Sequence, residues 1–451
     1  MVKLDEHPTV KHFYENQLND NLIEDYLNRF GKIDSSWLID LCKESGADDV
    51  GFVEVGCSDL AKDREDILKY IPHSKTLISF VCRMNRSPVR SPARSVANLE
   101  FHHTGETVNK VASAIVSKLE KMGVRAVNPS MGFPMEMNKF PGKIWLISHK
   151  TVAVAAGLGQ MGIHRNVIHP KYGNFILLGT ILIDFEVDIY AAPIDYNPCL
   201  ECKLCVAACP VGAISSDGHF NFSSCYTHNY REFMGGFTDW VEGVTDCDSA
   251  KDYSRKFSDS ESASMWQSLS FGANYKAAYC MAVCPAGEDV IRPFLENRKT
   301  YLDDVVRPLQ EKEETLYVVS GSDAEEYSSK RFRNKNVKRV SNGLHPKSAR
   351  GFMQGLGITF QREQSKGLDA TYHFTFTGEE YYEGTVVIQD RSIQSSEGHN
   401  GEPDLHISAD IGVWLGFLRK ERSLIWSILT RKIRLSGSIM LLKKFGKCFP
   451  S

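Results

Sequence analysis

A multidomain α+β chain is the fold class that this sequence predicts, on three observations. Strand-like runs alternate with helical periodicity over roughly residues 30 to 190. Eight cysteines crowd between positions 199 and 284. Beyond about residue 350 the apolar positions switch to a period of two, then return to helical spacing. The length agrees, because 451 residues exceed one ordinary domain and suggest about two to four. The expected boundaries are an α/β domain over 1–190 and a cysteine-rich module over 191–312 with an insert at 226–279. A linker over 313–349 and a last domain over 350–451 follow.

Residues 1 to 55 read as helices leading into a strand. "SSWLIDLCKESGADDVGFVEV" gives a Ser-capped helix, a glycine stop and a β-rich run. "KTLISFVCRM" is a second buried strand, rich in β-branched and aromatic residues. Val108, Val111, Ala112, Ile115, Leu119 and Met122 recur at helical spacing and Gly123 closes that helix. "NFILLGTILID" is another buried strand. The polar insert "DCDSAKDYSRKFSDSESAS" reads as a surface excursion and 290 to 312 as helical. The basic segment "EEYSSKRFRNKNVKRVSNGLHPKSARG" reads as a solvated linker. "ATYHFTFTGEEYYEGTVVIQD" is a β-hairpin pattern, and the C-terminal stretch reads as helix, strand, helix.

Composition narrows the function classes. Apolar residues make up 42% and charged residues 24%, as in a soluble globular protein. No eighteen-residue apolar run exists, so no membrane-spanning helix is expected. The first twenty residues lack a basic-then-apolar leader, which places the chain in the cytoplasm. There its twelve cysteines are expected as metal ligands or buried thiols rather than disulfides. A net charge of −3 offers no global attraction to nucleic acid, and no specific nucleic-acid partner is expected.

"CLECKLCVAACP" carries the chemistry. Four thiolates on one short loop converge on a soft metal centre. Structural zinc sites set two C-x2-C pairs well apart. C-x2-C-x2-C-x3-C-P is instead the bacterial ferredoxin run, whose fourth cysteine serves a neighbouring cluster. Two 4Fe-4S clusters follow. Cys199, Cys202, Cys205 and Cys284 complete the first. Cys209, Cys225 and Cys280 leave the second one ligand short, and Cys247 is the unassigned cysteine between the motifs. If Cys247 is a free loop thiol, a non-cysteine ligand or a three-iron cluster is needed. Cys42, Cys57, Cys82 and Cys448 read as isolated buried thiols.

"KTVAVAAGLGQMGIHRNVIHPKYGNFILLGTILID", followed by that run, resembles the epoxyqueuosine reductases and the reductive dehalogenases. The resemblance covers roughly residues 30 to 300. It implies a nitroreductase-like α/β domain that binds cobalamin, fused to a two-cluster ferredoxin-like module. Carried over residue by residue, it points to Gly157, Leu158, Gly159, Gly162, His164, Tyr172, Gly173 and Gly179 as cofactor-binding. The acidic proton donor of the epoxyqueuosine reductases is absent. Lys143 stands near its place, and His149 and Lys150 stand where that family has Glu-Arg. His149 and Lys143 are therefore the catalytic candidates. The tyrosine and basic pair of the halogen-removing branch has no counterpart that the sequence locates.

Residues 350 to 449 resemble a sterol-carrier-protein domain, which implies an apolar tunnel for a lipid-like ligand. Trp414, Phe417, Leu418, Ile425, Trp426 and Leu429 would line it, beside a basic rim at Arg419, Lys420, Arg422, Arg431, Lys432 and Arg434. Together these readings imply a cobalamin-dependent iron–sulfur reductase. It would draw electrons from a ferredoxin or flavodoxin and cleave a carbon–halogen or carbon–oxygen bond of a hydrophobic or amphiphilic substrate. Loose contact with a membrane surface would suit the basic rim. An electron carrier without corrinoid chemistry, or a lipid-binding redox protein, are the alternatives.

Overall fold

The protein is described by a computed structural model covering residues 4–16, 31–140 and 142–450. The helical reading of residues 17–30 falls outside these. Asp34, rather than a serine, caps the Ser35–Glu44 helix by accepting from the Trp37 N–H at 2.7 Å. That helix leads into strand β1 (Asp49–Glu54), which pairs with β2 (Thr76–Arg83). After a two-residue strand β3 (Ala126–Val127) and a small hairpin, β4 (Gln160–Met161) with β5 (Val167–Ile168), comes β6 (Ile176–Ile183). The order in the main sheet is β1-β2-β6-β3, and every pairing is antiparallel.

This antiparallel sheet is covered on both faces. Alternation on β2 sends Ile78, Phe80 and Cys82 to one core with Val108, Val111 and Ile115 of the 28-residue Arg94–Lys121 helix. Leu77 and Val81 go to the other, against Val152, Ala153 and Leu158 around the His149–Ala155 helix. Near-continuous apolar strands follow from that double burial.

The cysteine module packs against one edge of this layer. Two short helices, Leu204–Ala208 and Tyr279–Ala282, hold its centre with Val211, Ile214, Val283 and Val290. The insert at 226–279 is helical rather than a surface loop, with Gly235–Thr245, Ala250–Lys256 and Asp259–Phe271 each forming a helix. A capping box at Ser258 and Glu261 starts the last of these.

Residues 313–349 are not a linker. They form β7 (Thr315–Val318), a helix at Asp323–Arg331 and β8 (Asn336–Arg339), with β7 and β8 parallel. Val318 and Ala324 join the cysteine module's core, and Ser328 Oγ donates to Pro210 O at 3.0 Å. Its basic residues are largely paired: Lys335, with a fully buried side chain, donates to Leu309 O, Lys312 O and Glu314. So few apolar residues suffice because the unit is braced on a neighbour instead of enclosing a core.

The C-terminal domain follows the sequence reading. The Ala349–Thr359 helix precedes β9 (Ala370–Thr377), β10 (Tyr382–Gln389), β11 (Ser392–Glu397) and β12 (Leu405–Asp410). Helices Ile411–Leu418 and Leu424–Leu429, β13 (Ile433–Gly437) and the Ile439–Lys447 helix close it. The sheet order is β11-β10-β9-β12-β13, with β9 and β12 parallel. Tyr372, Phe374 and Phe376 point inward from β9 and meet Phe352, Trp414 and Phe445.

Gly173 fixes the junction that carries Cys284. It has a φ of 65°, and a Cβ there would run into the Ala286 carbonyl oxygen. The Gly173→Ala variant should therefore lose about 1–3 kcal/mol to overpacking, with left-handed strain added. Thermal unfolding and retained iron should both fall; an unchanged melting curve would show that the junction yields.

Candidate iron–sulfur centres and an interdomain cavity

The thiols divide into two neighbouring groups. Cys205 senses Cys280 first, then Cys284, Cys202 and Cys199, and Cys284 senses Cys202, Cys199 and Cys280, so Cys280 stands between the two groups. Cys225 senses Cys280 and Cys209, and Cys280 senses Cys209. Burial above all raises the Cys205, Cys209, Cys225, Cys280 and Cys284 thiols, the last two to about 12. Gathering so many groups that resist ionisation is costly unless a cationic metal centre takes the thiolates. Backbone N–H groups already point at two sulfurs: Ile163 donates to Cys199 Sγ at 3.4 Å and Ala213 to Cys209 Sγ at 3.2 Å. A set of thiol donors of this kind suits iron–sulfur chemistry.

Cys247 does not join the second group. Its thiol donates to Gly243 O at 3.1 Å, and the charges around it belong to Asp246, Asp252 and Lys256. The helices of the insert set it there, and cysteine spacing alone contains no information about their direction.

The glycine motif packs protein on protein. A Cβ on Gly157 would meet Ala192 O, on Gly159 Ile168 O, on Gly162 the His164 ring, and on Gly179 the Phe80 ring. Gly173 abuts Ala286, and Leu158 is core. Side chains at these positions would meet the chain's own atoms, so packing by itself accounts for the glycines. Instead the β4–β5 hairpin lies on the first thiol group. Ile163, His164 and Ile168 border a small cavity of about 30 Å3 with Cys199, Cys202, Cys205 and Cys284. His164 is held neutral, its pKa pushed down to about 4 by burial, with Nδ1 accepting from the Asn166 N–H and Nε2 3.2 Å from Asn174 Nδ2. Tyr172 stacks on His169 with ring centroids 4.7 Å apart, beneath Arg83, on the sheet's outer side.

The two catalytic candidates are also committed elsewhere. Lys143 is bound by Asp63 at 2.7 Å and Asp66 at 2.8 Å. His149 presents Nε2 to Ser130 O at 2.9 Å and Nδ1 to Thr180 Oγ1 at 2.8 Å. Both ring nitrogens are satisfied, and burial lowers its pKa. His149 is thus enclosed, while Lys143, besides its two acidic partners, borders the interdomain cavity.

Sequence reasoning missed the groups beside the second thiol set. Lys150 Nζ donates to Arg165 O at 2.7 Å and Asn166 Oδ1 at 2.9 Å, within reach of the charges on Cys225 and Cys280. Tyr230 lies against Tyr226, Phe233 and Tyr275 and near the same two thiols. Burial, then Tyr275, then Cys225 raise its hydroxyl pKa, so it keeps its proton. Its hydroxyl has no hydrogen-bond partner among the described residues. The only sequence signal was a tyrosine-rich stretch, "CYTHNYREF".

A second feature lies between the domains. Phe140 and Lys143 from the first domain, Leu344 and Pro346, and Leu356, Leu415 and Leu418 from the last border a mainly apolar space of about 500 Å3, partly open to solvent. Lys347, Arg350 and Arg419 stand around it. Of the expected lining, Leu418 is present. Trp414 is core and Phe417 packs on that core. Ile425, Trp426 and Leu429 are exposed, at 72%, 67% and 70%, on the outer face of their helix. No helix among the described residues is long and apolar enough to cross a membrane.

Comparison with known proteins fits this layout. Residues 359–450 match the SCP-2 sterol transfer family and residues 192–215 the 4Fe-4S binding domain. Epoxyqueuosine reductases are the curated relatives. That of Cyclobacterium marinum is 29% identical over 132 residues, 27% of this chain and 42% of the relative. That of Gloeobacter violaceus is 25% identical over 169 residues, 38% and 50% respectively. The chain thus spans half or less of these relatives. The solved epoxyqueuosine reductase from Streptococcus thermophilus is 18% identical, with a TM-score of 0.34 over 60% of this chain and 75% of that one. Another, 18% identical with a TM-score of 0.32 over 43% and 56%, was crystallised with a modified tRNA-Tyr stem loop. The expectation of no specific nucleic-acid partner stands against the tRNA stem loop in that one structure.

Two outcomes follow. Cys280→Ser should lower bound iron and alter the visible spectrum, whereas Cys247→Ser should leave both unchanged; a Cys247→Ser loss would return that residue to the ligand set. His228 gives a pH signature: it is buried, its Nδ1 accepts from the Tyr317 N–H at 3.3 Å, and burial pushes its pKa down to about 4. Its folded pKa lies below the unfolded value, so its contribution is present above pH ~6.5 and lost towards pH 4, by up to about 3 kcal/mol. His228→Gln, which can still accept from that N–H, should flatten the fall of the denaturation midpoint between pH 7 and pH 5.

Proposed function

We propose that this chain is an iron–sulfur reductase with two clusters, acting in the reducing cytoplasm and supplied by a ferredoxin or flavodoxin. The observation that carries the reading is the division of seven cysteines into two adjacent groups, one opening towards solvent and the other towards the Tyr230 wall. Two adjacent clusters pass electrons one at a time from a surface donor inward. The similarity to epoxyqueuosine reductases supports reductive cleavage of a carbon–oxygen or carbon–halogen bond as the reaction class. A corrinoid, when bound, would supply a strong nucleophile for such a bond. The glycine positions that the resemblance assigns to it pack closely on the chain's own atoms.

The chain's own residues suggest the remaining roles. Tyr230 holds a proton and has an uncommitted hydroxyl beside the second cluster, which suits a proton donor. Lys150 places positive charge against the thiolates and steadies the Arg165–Asn166 turn. The interdomain cavity, in a region similar to the SCP-2 family, suits an apolar substrate, and Lys347, Arg350 and Arg419 suit an acidic head group.

Anaerobically prepared protein should bind about eight iron atoms and, reduced, should transfer electrons from viologen to an aryl bromide or an epoxide. Its visible spectrum with added cobalamin decides whether a corrinoid takes part. Tyr230→Phe should keep the iron and lose about a hundredfold or more in turnover. Leu418→Glu should keep the iron and abolish binding of a fluorescent fatty acid. A chain that holds iron but oxidises viologen with no acceptor of either class is an electron carrier, and the reductase reading ends.

A further inference from the structure

The cluster-binding turn occurs twice in this chain. Cys202-x2-Cys205-x3-Cys209-Pro210 is followed, 75 positions on, by Ala277-x2-Cys280-x3-Cys284-Pro285. The backbone repeats with the sequence. One cysteine of each pair, Cys205 or Cys280, lies on a short helix, Leu204–Ala208 or Tyr279–Ala282, the other follows the helix end, and each helix opens from a residue in the left-handed region. These are Lys203 at φ 54° and Ala278 at φ 61°. Non-glycine residues seldom adopt that conformation. Its recurrence two residues before Cys205 and two before Cys280 marks equivalent positions. Cys202 precedes the first left-handed residue and Ala277 precedes the second. Ala277 is buried within the same core as the two helices. A methyl group therefore stands where the first turn supplies a ligand.

We infer that the second cluster is held by three thiolates, those of Cys209, Cys225 and Cys280, and that one of its irons accepts an exogenous anionic donor instead of a fourth cysteine. This rests on the two-cluster reading above. Neither neighbour supplies a substitute thiolate: Cys247 is turned to Gly243 O, and Cys284 holds in the second turn the place of Cys209 in the first, the cysteine that serves the other cluster. Lys150 is an unsuitable ligand, because its amine is committed to the oxygens of Arg165 and Asn166. Its positive charge next to Cys225 and Cys280 favours an anion at the differentiated iron. The ligand class is a small oxygen, nitrogen or carbon anion: hydroxide, a carboxylate or cyanide. The arrangement gives the buried cluster a coordination function besides electron transfer.

The test uses the full chain, prepared without oxygen. Wild-type protein should hold about eight irons, lose about one on mild ferricyanide oxidation and then show the electron paramagnetic resonance signal of a three-iron cluster. Added cyanide should shift the signal of the reduced four-iron form. Ala277→Cys should keep all its iron through oxidation, show no three-iron signal and ignore cyanide. Wild-type protein that keeps every iron through oxidation and is blind to cyanide overturns the inference, whether or not the variant folds. A tyrosinate charge-transfer band that Tyr230→Phe removes would make Tyr230 the fourth ligand and would overturn it as well. An iron content of only about four would instead strike at the two-cluster reading on which it rests.

Discussion

Cluster binding forces one condition on this chain: thiolates from positions 199–225 and 280–284 must meet in a buried place. Like charges oppose that meeting and burial opposes it further, so the rest of the molecule works to hold the two stretches together. Gly173 allows the sheet domain's loop to touch the backbone at Ala286 and Gly287. Glu288 and Asp289 donate their N–H groups to Pro170 O and Lys171 O at 2.9 and 3.0 Å. The β4–β5 hairpin covers the first group. The three-layer sheet domain thus acts as a clamp, and its antiparallel order, covered on both faces, gives the clamp stiffness.

A second joint connects the cysteine module to the C-terminal domain through polar groups. Gln361 is almost fully buried; its Oε1 accepts from the Asp323 N–H at 3.0 Å and from Asn221 Nδ2 at 3.4 Å. Its own N–H donates to Cys448 O at 2.9 Å. Buried, mutually satisfied amides specify one relative placement, since a small shift would strand each partner in a low-dielectric setting. That placement is what brings Leu415 and Leu418 opposite Phe140 and encloses the interdomain space.

What the sequence made legible follows the range of the interaction concerned. Cysteine spacing is local, and the first ligand set was readable from it. The period-two hairpin and the closing helix, strand and helix were readable for the same reason. Cys247 was misread because its position depends on how three helices of the insert pack. The glycines stood out, but their partners, Ala192, Ile168, Phe80 and Ala286, lie elsewhere in the chain and could be confused with a cofactor. Residues 313–349 looked solvated because a unit borrowing a neighbour's core needs few apolar residues of its own. Ile425, Trp426 and Leu429 read as lining because apolar side chains are normally inward, and here that face turns to solvent.

The β7–β8 unit bears on how the protein is made. It braces the first cysteine run from behind: Ser328 holds Pro210 O, and the Tyr327 ring packs against Gly212. The ribosome reaches β8 some 130 residues after Cys209, about 6–26 s later at ordinary synthesis rates. Until then the nascent chain exposes thiols that its own fold has not yet enclosed. The first cysteine run is thus fully backed only after residues 315–339 have been made, well after its own thiols.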